Sequence, residues 1–294
     1  MLMVKKRMLL SVIICKINYI ILQLNNSPIK KMKAMIFAAG FGTRLKPLTD
    51  TCPKALVKVG NKPMLQHTIE HLIKYGFDEI IINIHYLGNQ ITAFLQQHNY
   101  FNIRIEISDE TDLILETGGG LLKAQHFFED EKPFLVCNAD VFTNINLQNF
   151  YTFHEQNNAL ATLAVRNRKS SRVLLFDENN KLQGWQNFKN DEVKFPTLFS
   201  DSTTHYFDAD NAIFADSEYD KIKKAKQFAF SGYQIISPAI FKHPTRNGIF
   251  SMIDWYIDIC AQQTIVGYEH NDDIWIDIGS PEQLQKANEY CASI

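Results

Sequence analysis

The segment Ala38-Ala39-Gly40-Phe41-Gly42-Thr43-Arg44-Leu45-Lys46-Pro47-Leu48-Thr49 sets two glycines, a hydroxyl and a guanidinium directly after an apolar run. Glycine leaves backbone N–H groups unshielded, so Gly40 and Gly42 allow the chain to wrap phosphate oxygens, and Arg44 adds a planar two-pronged donor. A few residues on, Pro53-Lys54 supplies another cation, held by the rigid Cys52-Pro53 step. Joining phosphate anions requires charge neutralisation, usually by Mg²⁺ on carboxylate oxygens. Acids suited to that task stand at two other places. Asp140 closes Cys137-Asn138-Ala139-Asp140, and Asp277 lies in Trp275-Ile276-Asp277-Ile278-Gly279, where strand alternation turns it away from Ile276 and Ile278. On position alone the alternatives are a helix cap for Asp140, a surface acid for Asp277 and a tight structural turn for the bare Gly-x-Gly. Two other phosphate motifs are excluded. The dinucleotide fingerprint needs a third glycine where Leu45 stands, and a P-loop needs Gly-Lys-Ser/Thr opening a helix.

The elements that must carry these residues alternate along the chain. Apolar runs at Lys33–Ala39, Glu79–Ile84, Ile103–Ser108, Pro133–Asn138 and Leu160–Arg166 read as buried strands. Between them, Pro63–Tyr75, Gly88–His98, Gly119–Phe128 and Leu147–Gln156 have helical spacing, with Gly76 placed to end the first. This rhythm predicts an α/β fold: a three-layer, Rossmann-like mixed sheet, mostly parallel, flanked by helices. Such sheets bind ligands at the carboxyl ends of their strands, where the polar motifs fall. Further on, Val173–Phe176 and Lys181–Trp185 flank the turn Asp177-Glu178-Asn179-Asn180 as a hairpin. Residues 187–227 read as an elaborated loop or flap. A strand at Phe228–Ile236, a helix at Ser251–Gln262 and a strand at Ile274–Ile278 follow. Ser280-Pro281-Glu282 opens a last helix with a cap, a first-turn proline and an early acid.

The chain has 294 residues, 46% hydrophobic and 21% charged, with a net charge of −2. These are the values of a soluble globular protein and give no electrostatic case for nucleic acid as a partner. The 5 cysteines contain no Cys-x-x-Cys pair and read as reduced thiols, which points to the cytoplasm. Lys5-Lys6-Arg7 and the apolar stretch after it have the start of a signal peptide. Lys16 and Asn18 interrupt that stretch, no small-residue cleavage site follows, and it is too short to span a bilayer. Residues 1–31 are therefore expected to be an extension without a fold role, with Met32 as the natural start. Residues 32–294 are expected to form a single domain, without a membrane partner, as a monomer or small homo-oligomer.

The run from Ala38 to Thr49, with Pro53-Lys54, resembles the signature of nucleotidyltransferases that activate sugar 1-phosphates, and the resemblance extends over roughly residues 33–290. It implies transfer of a nucleotidyl group from an NTP to a sugar 1-phosphate, with release of pyrophosphate. It also implies that Gly40, Gly42, Thr43 and Arg44 hold the triphosphate, that Lys54 stabilises charge at the reacting phosphates, and that Asp140 and Asp277 bind Mg²⁺. Ala39 and Asn138, at strand ends, join the nucleotide-side candidates. Glu116-Thr117-Gly118-Gly119-Gly120 resembles a loop of N-acetylmuramate-1-phosphate uridylyltransferases and mannose-1-phosphate guanylyltransferase-like proteins, which implies that Glu116, Gly118 and Gly119 lie near base and sugar. Asn83 is placed either to read a base edge or to end a strand, and Gly232, in Phe230-Ser231-Gly232, resembles the segment that approaches the sugar. Glu178 and Trp185 either line the sugar side or pack the hairpin. UTP with N-acetylmuramate 1-phosphate is the first substrate pair and GTP with mannose 1-phosphate the alternative. A non-catalytic nucleotide-binding homologue is the third reading.

Overall fold

The computed structural model describes residues 31–196, 205–206 and 224–293. Residues Met32–Ile294 group as one compact unit. The expectations for residues 1–30 and for most of 197–223 lie outside the described residues.

In chain order the strands are β1 (Met32–Phe37), β2 (Lys58–Val59), β3 (Lys62–Pro63), β4 (Phe77–Ile84), β5 (Arg104–Asp109), β6 (Phe134–Asn138), β7 (Val141–Thr143) and β8 (Ala161–Arg166). They continue as β9 (Arg172–Phe176), β10 (Leu182–Asn187), β11 (Glu192–Lys194), β12 (His205–Tyr206), β13 (Lys226–Ile236), β14 (Ile265–Glu269) and β15 (Trp275–Asp277). The helices are α1 (Met64–Lys74), α2 (Gly88–Gln97), α3 (Glu116–Lys123), α4 (Leu147–Asn157), α5 (Met252–Ile259) and α6 (Pro281–Ser293).

The main sheet runs β12-β11-β10-β9-β13-β6-β1-β4-β5, with β8 also pairing β13 and β14 on the outer side of β8. Strands β6, β1, β4 and β5 are parallel. Their central residues, Ala34 to Ile36, Ile80 to Ile82 and Phe134 to Cys137, are wholly buried because helices cover both faces. Strand β13 runs antiparallel to β6 and carries the sheet into the β9–β10 hairpin. This is the expected fold: a mixed, mostly parallel central sheet between helical layers. Among the described residues no helix is long and apolar enough to cross a membrane.

The structure differs from the expected elements at a few points. The helix expected from Gly119 begins at Glu116, and its far end is a separate 3₁₀ turn at Gln125–Phe128. Strand β14 was not foreseen, nor was β7, which prolongs the Asp140 turn. The segment expected to be a loop from residue 187 instead continues the hairpin as a sheet, through β11 and β12.

Burial also places a titrating group in the fold. His154 of α4 is 2% exposed, its Nδ1 2.9 Å from Thr162 Oγ1 and its Nε2 3.1 Å from Ser237 Oγ. Because Ser237 Oγ donates to the Ala159 carbonyl, it accepts from Nε2–H, which leaves Nδ1 to accept from Thr162. The ring is thus held neutral, and burial pushes its pKa down to about 4. Burial does the same to His71 and His270, each to about 4. An unfolded histidine titrates near ~6.5, so these rings favour the fold fully above that pH, and the contribution is lost as pH falls towards 4. Urea denaturation midpoints should fall between pH 6.5 and 4, and His154→Gln should flatten part of that slope. An unchanged slope in the variant would contradict the assignment.

Candidate active site

The glycine loop leaves β1 under tight control. The Ala38 N–H donates to Asn83 Oδ1 (2.8 Å), and the Ala139 N–H donates to the Phe37 carbonyl (3.0 Å). These bonds tie the carboxyl ends of β1, β4 and β6 together. Gly40 is open, and a side chain there would meet nothing within 4 Å. Gly42 takes a left-handed φ of 66°, and a Cβ there would lie 2.9 Å from Thr49 Cγ2. Thr49 Oγ1 and the Leu45 N–H both donate to the Gly42 carbonyl. Leu45 is buried in a small core with Val57, Val59, Met64 and Ile278, so the loop is pinned while Thr43 and Arg44 stay exposed beside it.

Lys54 lies inside this frame. Its ammonium pairs with Asp140 Oδ2 and is 3.8 Å from Asp277 Oδ1. The two acids arrive from distant parts of the chain. Asp140 follows β6, and Asp277 ends β15, which pairs antiparallel with β7 so that Asp277 faces Val141. The Ile278 N–H donating to the Asp140 carbonyl (3.0 Å) closes the pairing. Arg44 reaches the same end of β15: a Cβ at Gly279 would come within 2.4 Å of its Nη2, so only glycine admits the guanidinium there.

Asp277 Oδ1 is buried with no hydrogen-bond partner. An orphaned carboxylate oxygen beside a second carboxylate suits a hard divalent cation. Among the described residues no group of three or more His, Cys, Asp or Glu could hold a metal. The protein therefore offers two carboxylates, which matches the habit of Mg²⁺ of drawing its other ligands from water and phosphates.

A cavity of about 370 Å³ opens over these strand ends, walled by Ala39, Gly40, Lys54, Glu116, Asn138 and Asp140. A cleft of about 1010 Å³ adjoins it through the shared residues Glu116 and Ser251, and Arg44, Arg168 and Asp277 reach into this second space. Trp185 lines the cleft, whereas Glu178 sits in the hairpin turn.

Several expected ligand residues have structural partners instead. Asn83 lines the cavity, but its Nδ2 donates to Glu110 Oε1 (2.8 Å) while its Oδ1 accepts from the Ala38 N–H, so its amide ties the strand ends together. The N–H groups of Gly118 and Gly119 both donate to the Phe250 carbonyl, at 2.8 and 3.3 Å. A Cβ on Gly119 would lie 2.1 Å from the Gly248 carbonyl, so the close approach made here is to the chain and not to a ligand. Gly232 has φ 81° within a β13 bulge, and a Cβ there would lie 2.9 Å from Asn138 Nδ2.

Two residues were missed. Glu110 is 1% exposed and accepts from Asn83 Nδ2 and from the Leu115 N–H (3.0 Å), fixing the cavity floor. It follows β5 directly, the strand-end position that singled out Asp140. Arg168 stacks its guanidinium 4.3 Å from the Trp275 ring centre and donates to the Phe230 carbonyl (3.2 Å), while its buried Nε has no partner. Burial lowers its pKa, with Asp277 opposing. The cationic run Arg166-Asn167-Arg168-Lys169, which begins on the last residue of β8, was its signal.

A parallel sheet with a glycine loop, a lysine and two carboxylates at its strand ends defines a phosphate-handling α/β protein. Residues 33–293 match the family described as nucleotidyl transferase, and the chain belongs to that family. It is 29% identical over 257 residues to the N-acetylmuramate alpha-1-phosphate uridylyltransferase of Neisseria meningitidis serogroup B, covering 87% of this chain and 96% of that protein. It is 38% identical over 136 residues to the mannose-1-phosphate guanyltransferase of Emericella nidulans, which is 46% of this chain and 37% of that protein. The chain thus spans little more than a third of the length of such guanyltransferases. Among solved structures, HddC from Yersinia pseudotuberculosis superposes with a TM-score of 0.65 at 21% identity, covering 88% of this chain and 99% of its own. A putative glucose-1-phosphate thymidylyltransferase from Bacillus anthracis gives 0.68 at 18%, covering 90% and 96%. At these identities the two structures share the fold.

Gly119→Ala tests the packing role of the α3 glycines. The added methyl should cost about 1–3 kcal/mol of stability by overpacking against Gly248. Thermal denaturation reads this, and a variant as stable as the parent would overturn it.

Proposed function

We propose that the chain transfers a nucleotidyl group from an NTP to a sugar 1-phosphate and releases pyrophosphate, with UTP and N-acetylmuramate 1-phosphate as the substrates. The observation that carries this reading is Lys54 set between Asp140 and Asp277 beside the Gly40–Arg44 loop. An acceptor phosphate oxygen attacks the α-phosphorus. One P–O bond forms, the α–β bridging P–O bond breaks, and its electron pair leaves with pyrophosphate. The attacking group is already an anion, so no side-chain base is required, and the work is positioning and charge stabilisation.

Gly40, Gly42 and Thr43 offer backbone to the triphosphate, Arg44 holds its oxygens, and Lys54 supports the charge at the reacting centre. Asp140 and Asp277 would hold Mg²⁺, which when bound neutralises the phosphates being brought together. Arg168, fixed on Trp275 and lining the cleft that Asp277 reaches, takes the acceptor phosphate. The cavity on the Glu116 side receives the nucleotide and the cleft receives the sugar.

The near full-length likeness to the uridylyltransferase favours UTP. The guanyltransferase match, 136 residues long, is too short to hold both Gly40 and Asp277. A mannose 1-phosphate enzyme using GTP is the second reading, supported by the higher identity over that shorter stretch. Retention of Arg44, Lys54, Asp140 and Asp277 argues against a homologue without catalysis.

Pyrophosphate release across four NTPs and a panel of sugar 1-phosphates tests the assignment. Turnover should be greatest with UTP and N-acetylmuramate 1-phosphate and should stop on chelation of divalent metal. Asp140→Asn should lower kcat by roughly 10²–10³-fold or more with the fold intact, the scale of removing one transition-state contact. Unchanged turnover in that variant refutes the mechanism. Arg168→Ala should raise the acceptor KM more than the NTP KM, and the reverse pattern refutes its assignment.

A further inference from the structure

We infer that Arg172 and Lys189, on the outer wall of the cleft, choose the acceptor sugar by binding an anionic group that it carries besides its phosphate. This rests on the proposed transfer to a sugar 1-phosphate and adds how the enzyme chooses the sugar.

The wall is one face of the antiparallel sheet β9–β10–β11. Its register sets Arg172 opposite Asn187 and Asn187 opposite Glu192, and in the next row Leu174 opposite Trp185 and Trp185 opposite Lys194. Residues two apart on a strand share a face, and all six side chains line the cleft. Pairing continues beyond the end of β10, where the Phe188 N–H donates to the Ser171 carbonyl (2.8 Å). The Lys189 N–H donates to Asn187 Oδ1 (3.1 Å), which turns Lys189 back beside the Arg172–Asn187 pair. Arg172 from β9 and Lys189 from the turn that follows β10 therefore both line the cleft.

The acids of this wall are already engaged. Lys194 pairs with Asp254 (2.7 Å) and Glu192 (3.5 Å), and its ammonium lies 5.0 Å from the Trp185 ring centre. Glu192 also accepts from Asn190 Nδ2 (3.1 Å). Two strand spacings, about 10 Å, separate the Glu192 and Arg172 positions, and the ion pair that Glu192 makes is with Lys194. Among the described residues neither Arg172 nor Lys189 has an ion-pair partner, although both line the cleft. Glu116 and Asp277 are the remaining cleft acids; Glu116 is shared with the first cavity, and Asp277 faces Arg168 and Lys54.

The cleft thus holds two cationic stations. Arg44 and Arg168 stand beside Asp277 for the reacting phosphates, and Arg172 with Lys189 stand on the hairpin wall. A neutral sugar calls for hydroxyl readers such as Asn187, Asn190, Ser170 and Ser171, which are also present. It does not call for two further cations, whose desolvation on closing over an uncharged ligand would be a net cost. A carboxylate or a second phosphate on the sugar fits them, as an Arg fork with a Lys point charge binds either anion.

The test measures kcat/KM for four acceptors: N-acetylmuramate 1-phosphate with its carboxylate, N-acetylglucosamine 1-phosphate without it, glucose 1,6-bisphosphate and glucose 1-phosphate. The parent enzyme should prefer the anionic member of at least one pair. Arg172→Ala and Lys189→Ala should each lower that preference roughly 10-fold or more, the range of a lost charge-assisted hydrogen bond. Arg172→Lys should restore part of it. Which pair discriminates tells carboxylate from phosphate. Parent turnover without preference, or variants that keep the parent ratio while folded by circular dichroism, overturns this inference alone. No turnover with any acceptor overturns the transfer reading and this inference with it.

Discussion

Two carboxylates that repel one another must be held side by side, and a three-residue ladder does it. Strand β15 pairs with β7, which starts immediately after Asp140, so the pairing brings Asp277 beside that residue from the far end of the domain. The Lys54 ammonium between them offsets the repulsion. The same short strand positions more than the acids. The indole N–H of Trp275 donates to the Ser231 carbonyl (2.8 Å), which locks β15 to β13, and the ring face supports Arg168. Ile278 enters the small core that holds Leu45 and hence the glycine loop. The glycine loop, the Asp140–Asp277 pair and Arg168 therefore share one mechanical support.

The two sides of the site are built by different means. The cavity beside Gly40 and Asp140 stands on the parallel core, and its floor is a buried polar chain from Ala38 through Asn83 and Glu110 to Leu115. Every link is satisfied, and breaking one would strand a buried donor or acceptor at about 1–3 kcal/mol. The α3 glycines close the adjacent wall by letting residues 248–250 approach to hydrogen-bonding distance. The adjoining cleft stands on the antiparallel extension beyond β13, where one sheet face is covered by a small core and the other lines the cleft.

The parallel core was legible because strands buried on both faces must be continuously apolar, which a sequence displays openly. The strand-end rule then found Asp140, nearness to the glycine loop found Lys54 and strand alternation with the family resemblance found Asp277, and the fold gathers all three side chains. Glycines were read with less success, for a physical reason. An absent side chain announces a close approach but not its partner: at Gly118, Gly119 and Gly232 the partner is protein, whereas Gly40 stands open. Asn83 misled similarly, since a strand-end amide suits a ligand and a neighbouring strand alike. Strand β14 is short and at an edge, and β11 is only three residues long, so neither leaves a pattern strong enough to read. Arg168 is polar and lies in a loop. Only its stacking on Trp275, a residue more than a hundred positions away, gives it a place in the site.

In the proposed function the side built on the parallel core takes the nucleotide and the separately built hairpin wall takes the sugar. The reaction needs the β7–β15 ladder, the glycine loop and Lys54 in fixed relation, and all three are anchored in buried structure that tolerates little change. The hairpin wall is tied to that frame chiefly through β13 and the Lys194–Asp254 contact with α5. Its cleft-facing residues alternate with core residues along each strand, so Arg172 can change without touching Val173, and Glu192 without touching Val193. Acceptor choice can therefore be rewritten on one face of three strands while the chemistry, one sheet position away across β13, keeps its geometry.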